Sequence, residues 1–160
     1  MATVPKNTLK AGDKAPPFAL SADGGGGVSL SGLKGKTIVL YFYPKDDTSG
    51  CTAEAIAFSA DAKAFKQAGA VVIGISKDSV ASHDKFKAKH KLAVTLAADE
   101  DTKIAQAYGV WVEKSMYGRR YMGMERATFL IDGRGVIRKI WRKVKVPGHA
   151  ADVLDSIKAL

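Results

Sequence analysis

One short stretch concentrates the reactive side chains. Tyr41 to Thr52 reads YFYPKDDTSGCT and holds the only cysteine among 160 residues. A strand-like apolar run breaks at Pro44, passes Asp46 and Asp47, turns through Thr48-Ser49-Gly50 and delivers one thiol, Cys51, into the first turn of an expected helix. Free amide N–H groups and the helix dipole favour an anion there, so a thiolate is stabilised. Thr48 stands where a hydroxyl can cap the helix or bond whatever the thiolate binds. Pro44 ends the strand and removes an N–H. Glu54, one turn after Cys51, repels a thiolate unless a cation intervenes. A free cysteine is otherwise a small buried hydrophobe, so at this level Cys51 reads either as a nucleophile or as an inert core residue.

The surrounding pattern supplies elements that could position these groups. KTIVLYFYP, Lys36 to Pro44, is a β-prone buried strand. From Cys51 to Gln67 the apolar residues Ala55, Phe58, Ala62 and Phe65 mark one helical face, which Gly69 ends. AVVIGIS, Ala70 to Ser76, is a second buried strand. Asp78 or Ser79 caps a helix over Val80 to His90. VTLAAD is a third strand, and Thr102 to Tyr108 is a short helix. A long aromatic and basic loop follows, Trp111 to Glu125. RATFLID and VIRKIWR form a hairpin about the Asp132-Gly133-Arg134-Gly135 turn. Asp152 to Leu160 closes as a helix. The GGGG run, Gly24 to Gly27, reads as a turn before VSL in an N-terminal hairpin. The expected fold is α/β and thioredoxin-like: a central mixed sheet flanked by helices, with an N-terminal hairpin extension, in a single domain over 1–160.

Composition sets bounds. The chain is 46% hydrophobic and 26% charged, with a formal charge of +9. No apolar run is long enough to span a membrane, and the first residues lack the apolar segment of a secretory signal. One cysteine excludes an intramolecular disulfide and fits a reducing compartment, hence a cytoplasmic location. The 25 Lys and Arg are spread along the chain. Their densest cluster, Arg138 to Lys145, reads as alternating strand faces and matches no nucleic-acid motif, so the basic surface favours anionic partners in general. His83, His90 and His149 have no metal-ligand spacing and read as surface residues. No phosphate loop, nucleophile elbow or dinucleotide fingerprint is present, and no cofactor is expected.

Pro44, Thr48 and Cys51, at spacings of four and three after a strand and before a helix, resemble the peroxiredoxin active-site signature. The fuller string YFYPKDDTSGCTAEA resembles the peroxiredoxin Q, or bacterioferritin comigratory protein, subgroup. So do GDKAPPF near the start, VVIGIS, and GMERATFLIDGRG from Gly123 to Gly135. The resemblance implies a thiol peroxidase acting on hydrogen peroxide and organic hydroperoxides. In it Cys51 is the peroxidatic cysteine, Thr48 holds the peroxide and Pro44 shields the thiolate. Arg126 stabilises the thiolate and the transition state, and Glu54 orients that arginine. Tyr43 and Phe42 resemble residues beside the pocket, with a core role the plainer reading for Phe42.

The chain departs from the subgroup in two respects. Many relatives keep a resolving cysteine five residues after the first, where this chain has Ile56, and others keep it in the next helix, where this chain has Lys87. Ser49 also stands where proline is frequent. The resemblance therefore implies a one-cysteine enzyme whose sulfenic acid is resolved by an external thiol, glutathione or a thioredoxin-type protein. The basic aromatic segment Tyr117 to Tyr121 offers a contact for an anionic thiol. The expected state is a monomer, with a dimer possible if two sites meet. A peroxide sensor passing oxidation to a partner, or a non-enzymatic holdase, are the rival functions.

Overall fold

The computed structural model describes residues 9–160. Its main sheet has seven strands: β1 (Ala19–Ala22), β2 (Gly27–Ser29), β3 (Thr37–Phe42), β4 (Ala70–Ser76), β5 (Thr95–Ala98), then, beyond a separate hairpin of β6 (Trp111–Met116) and β7 (Arg119–Met124), β8 (Ala127–Ile131) and β9 (Ile137–Trp141). The spatial order is β2-β1-β5-β4-β3-β8-β9. Strands β3, β4 and β5 run parallel, and β8 runs antiparallel to β3. The N-terminal hairpin extends this sheet by pairing β1 with β5.

Strand β3 shows why the sheet lies at the centre. Its alternate residues serve two cores: Val39 and Tyr41 pack with α1 (Ser49–Ala60), α2 (Ala62–Gln67), α3 (Val80–His90) and α5 (His149–Lys158). Ile38, Leu40 and Phe42 pack on the opposite face with Phe18, Tyr108, Val110, Phe129 and α4 (Lys103–Ala107). A strand covered on both faces is continuously apolar, and each large side chain so buried contributes about 1.5–3 kcal/mol. Tyr41 fits because its parallel neighbour is Gly74, where a Cβ would lie 2.6 Å from the tyrosine ring.

Four expectations of the fold need correction. The helix over 51–67 is two helices, α1 and α2, with Asp61 between them at φ −98° and ψ 11°. The segment 111–125 is the β6–β7 hairpin, turned by Tyr117 and Gly118, both at positive φ. The basic cluster does not alternate simply: β9 bulges, since Leu130 and Ile131 face Lys139 and Ile137, leaving Arg138 and Lys139 both exposed. The last helix begins at His149, one turn earlier than expected.

Candidate active site

Pairing of β3 with β8 builds the site. Phe42 lies opposite Ala127 in an antiparallel ladder. The chain leaving β3 and the chain entering β8 therefore emerge side by side, one carrying Tyr43 and Pro44, the other Arg126. Val144 N–H donates to the Arg126 carbonyl at 3.0 Å and fixes that backbone.

Thr48 is the N-cap of α1 in extended conformation. The first intrahelical bond runs from Thr52 N–H to Thr48 O at 2.8 Å, so the amides of Ser49, Gly50 and Cys51 precede the helical ladder. Cys51 sits in this first turn with 1% exposure. The Thr48 side chain does not cap the helix, as a plain N-cap would; its hydroxyl donates to Lys45 O at 2.9 Å. That leaves oxygen lone pairs on an exposed hydroxyl beside the helix end. Pro44 is half-buried at the head of the same loop.

Arg126 joins the other two groups. One guanidinium nitrogen, Nη2, donates to Cys51 Sγ at 3.3 Å, and the other, Nη1, to Glu54 Oε1 at 2.7 Å. The guanidinium is the cation that relieves repulsion between Glu54 and a Cys51 thiolate. Burial pushes the Glu54 carboxyl up to about 7, against the pull of Arg126. Its second oxygen, Oε2, is buried with no hydrogen-bond partner among the described residues. For Arg126, burial works against the charge, and Glu54 and Cys51 outweigh it, so the group is held above its ordinary range. Gly50 lets the arginine in: a Cβ there would stand 3.1 Å from Nη2.

Several neighbours escaped the sequence reading. Lys114, on β6, donates to the Met124 carbonyl. Burial and the Arg126 charge push its ammonium down, while Cys51 and Glu125 pull it up, so this second cation feels the site. Tyr41 stacks on Phe58 at 4.7 Å, and its buried hydroxyl is pushed well up by burial and then by Glu54 and Cys51. Tyr43 packs beside the loop as expected and donates to Asp46 at 2.6 Å, whereas Phe42 belongs to the opposite core.

The histidines are not all surface residues. His83 is fully buried, bonded to Asp46 and to the Ala97 carbonyl. His149 is buried at the start of α5, with Nε2 2.8 Å from Thr128 Oγ1 and its ring against Phe58 and Trp141. His90 is half-buried and bonds Asp47 at 2.8 Å. Their partners lie far away in sequence, and isolated histidines carry no signal of burial. Among the described residues no group of three His, Cys, Asp or Glu side chains could hold a metal ion. No helix among them is long and apolar enough to cross a membrane. The positions of the missing resolving cysteine are both on helices. Ile56 is exposed on α1, and Lys87 on α3 pairs with Asp23 at 2.7 Å.

Comparison with known proteins gives the family. The model of the AhpC/TSA family matches residues 11–140. A putative peroxiredoxin bcp of Coxiella burnetii is 52% identical, covering 94% of this chain and 99% of that one. Peroxiredoxin Bcp of Bacillus subtilis is 50% identical, covering 94% and 96%. Among solved structures, the Xanthomonas campestris bacterioferritin comigratory protein superposes with a TM-score of 0.85 at 46% identity, over 89% and 90% of the two chains. A cysteine mutant of Xylella fastidiosa PrxQ superposes at 0.89 with 41% identity, over 94% and 96%. The Xanthomonas protein has also been solved as serine mutants of two cysteines, spaced as Cys51 and Lys87 are spaced here. With a single cysteine and Lys87 at the spacing of the second Xanthomonas one, this chain belongs to the AhpC/TSA family, in its Bcp/peroxiredoxin Q branch, and is a thiol peroxidase of one-cysteine type.

Proposed function

We propose that Cys51 is the peroxidatic cysteine and that Thr48, Pro44, Arg126 and Glu54 complete its peroxide pocket. The carrying observation is the pair of bonds from Arg126, to Cys51 Sγ at 3.3 Å and to Glu54 at 2.7 Å. A thiolate lone pair on Sγ attacks one peroxide oxygen in line. The S–O bond forms as the O–O bond breaks, and the bonding pair leaves with the second oxygen as hydroxide or alkoxide, which takes up a proton. Cys51 becomes a sulfenic acid. Thiolate formation supplies only part of the acceleration, since converting an ordinary thiol wholly to thiolate at neutral pH gains about thirtyfold, or about 2 kcal/mol. The larger share falls to donors aimed at the stretching O–O bond: Arg126, the first-turn amide of Cys51 and the Thr48 hydroxyl. Pro44, without an N–H, closes the water side. Glu54 holds the guanidinium by its far nitrogen so that Nη2 faces sulfur.

Arg126→Ala tests the assignment. Stopped-flow peroxide titration should show a rate loss of about 10²–10³, the magnitude typical for removal of one transition-state donor. A loss no greater than the fall in thiolate fraction, measured on the same protein, refutes it. Cys51→Ser should consume no peroxide; a holdase would keep its full activity in that variant. Steady consumption with a thiol present separates an enzyme from a sensor, which would stop after one equivalent.

With no second cysteine, the sulfenic acid is reduced by an external thiol. That thiol condenses with Cys51 to a mixed disulfide, releasing water, and a second thiol frees the enzyme. Hydrogen peroxide and alkyl peroxides are the proposed substrates; a solved relative from Xanthomonas is described by its alkyl peroxide reduction activity. Arg119, Arg120 and Tyr121 on the exposed β7 strand are the proposed contact for glutathione or a thioredoxin-type protein. Double substitution of both arginines should raise the KM for the reductant and leave peroxide oxidation of Cys51 unchanged; an unchanged KM sinks this contact. The reading takes the chain as a single-domain cytoplasmic monomer.

A further inference from the structure

A second buried polar cluster lies beneath the loop that joins Pro44 to Thr48. Asp46, in the middle of that loop, accepts on Oδ1 from the Tyr43 hydroxyl at 2.6 Å and on Oδ2 from the Ser82 hydroxyl at 2.8 Å. His83 Nδ1 lies 2.7 Å from the same Oδ2, and His83 Nε2 lies 2.9 Å from the Ala97 carbonyl oxygen. A carbonyl can only accept, so Nε2 carries a hydrogen. Both Asp46 oxygens already accept from hydroxyls, so the Nδ1 contact is read with the nitrogen as donor and Nδ1 carries one too. The Tyr43 oxygen, 3.4 Å from Nδ1, already directs its own hydrogen to Asp46. A ring with two N–H groups is an imidazolium, and this one has no exposed surface.

We infer that His83 and Asp46 form a buried ion pair that positions the catalytic loop, and that losing the pair slows peroxide attack by Cys51. The inference rests on the reading of Cys51, Thr48 and Pro44 as the peroxide site. It extends that reading to His83, which touches no reacting atom and acts through the loop. The attachment continues on either side. Asp46 N–H donates to Asp78 Oδ2 at 2.8 Å, and Ser76 donates to that oxygen at 2.6 Å. Asp47 holds a left-handed φ of 61° while its carboxylate meets Lys89 at 2.6 Å and His90 at 2.8 Å. Two consecutive aspartates thus fasten the loop to α3. The exposed Asp47 pairs are screened by water; the Asp46–His83 pair is not. One residue further on, Thr48 sets the direction of the α1 amides and of its own hydroxyl.

Burial pulls the His83 ring down. The Asp46 bond and charge, the Ala97 carbonyl and Asp78 outweigh it, so the ring stays protonated above the ordinary histidine range. A group raised in the folded state contributes fully below its unfolded value of about 6.5, and the contribution is lost as pH rises through the folded value. The rate of Cys51 oxidation should therefore fall on the alkaline side as His83 deprotonates.

Nitrogen-15 NMR of the wild-type full chain tests the protonation state directly. Both His83 nitrogens should be protonated at pH 7, and the alkaline fall in the stopped-flow rate constant should share the midpoint of their titration. His83→Gln keeps a donor but no charge; it should react about tenfold slower at pH 7 and lose that alkaline limb, since a misplacement of about 1 Å can cost about a hundredfold in rate. Ser82→Ala, which leaves the pair intact, should stay within about twofold. A neutral His83 ring at pH 7 overturns the inference, as does a His83→Gln protein with wild-type rate and pH profile. Peroxidase activity surviving in Cys51→Ser would instead overturn the site reading on which it rests.

Discussion

Replacing Glu54 with glutamine separates what this carboxyl does for the fold from what it does for Arg126. Glu54 is 1% exposed, and burial raises it to about 7. In the unfolded chain it titrates near an ordinary glutamate, so between the two values the folded protein holds a proton that the unfolded chain has released. The stabilising contribution is full below about 4.5 and is lost as pH climbs through 7. The interval corresponds to about 3 kcal/mol, of which about 2 kcal/mol falls between pH 5 and pH 8. Glutamine has the same shape, accepts from Nη1 and cannot ionise. Urea denaturation should therefore show Glu54→Gln gaining about 2 kcal/mol on the wild type on going from pH 5 to pH 8. The ion pair with Arg126 becomes a bond from a cation to a neutral amide, weaker by about 1 kcal/mol. With the guanidinium less firmly held, Cys51 oxidation should slow by about fivefold. A gap between variant and wild type that stays flat from pH 5 to pH 8 refutes the reasoning. It would mean that attraction to Arg126 outweighs burial and that Glu54 is ionised throughout.

Two further substitutions probe the same neighbourhood. Gly50→Ala adds a Cβ 3.1 Å from Arg126 Nη2; the guanidinium must shift by a few tenths of an ångström, and peroxide oxidation of Cys51 should slow by about three- to tenfold with thermal stability nearly unchanged. His149 is held down to about 4, chiefly by burial, with Asp152 opposing and Arg126 adding to the effect. A histidine lowered in this way contributes above its unfolded value near 6.5, and the contribution is lost as pH falls through 4. His149→Gln should melt lower than wild type at pH 7, and thermal melts should show that gap shrinking toward pH 4; a gap independent of pH counts against a buried neutral ring.

What could be read from the sequence followed the range of the interactions involved. Cys51, Thr48 and Glu54 share one helix start, and their spacing displays their geometry directly. Arg126 could be found only through family resemblance, because nothing local to GMERATF marks an arginine that crosses to another strand. The β6–β7 hairpin was hidden because its turn is Tyr117-Gly118, not Asn-Gly, and its strands carry little apolar alternation. The break at Asp61 has no glycine or proline to announce it. His83 reads as one more polar residue of SHDKFK, and what buries it is a carboxylate 37 positions earlier. Local chemistry was legible; polar groups buried by distant partners were not.

The position of β3 between β4 and β8 also bears on when Cys51 meets Arg126 during synthesis. Strands β1 to β5 and helices α1 to α3 emerge early and can assemble by contacts among themselves, leaving one edge of β3 open. Arg126 reaches Cys51 only when β8 fills that edge, 75 residues after the cysteine has left the ribosome. A nascent or partly folded chain therefore carries a thiol without its guanidinium. Docking of a late, non-local strand is among the slower events of folding. On the proposed role of Arg126, reactivity toward peroxide would then arrive as one of the last consequences of a completed fold.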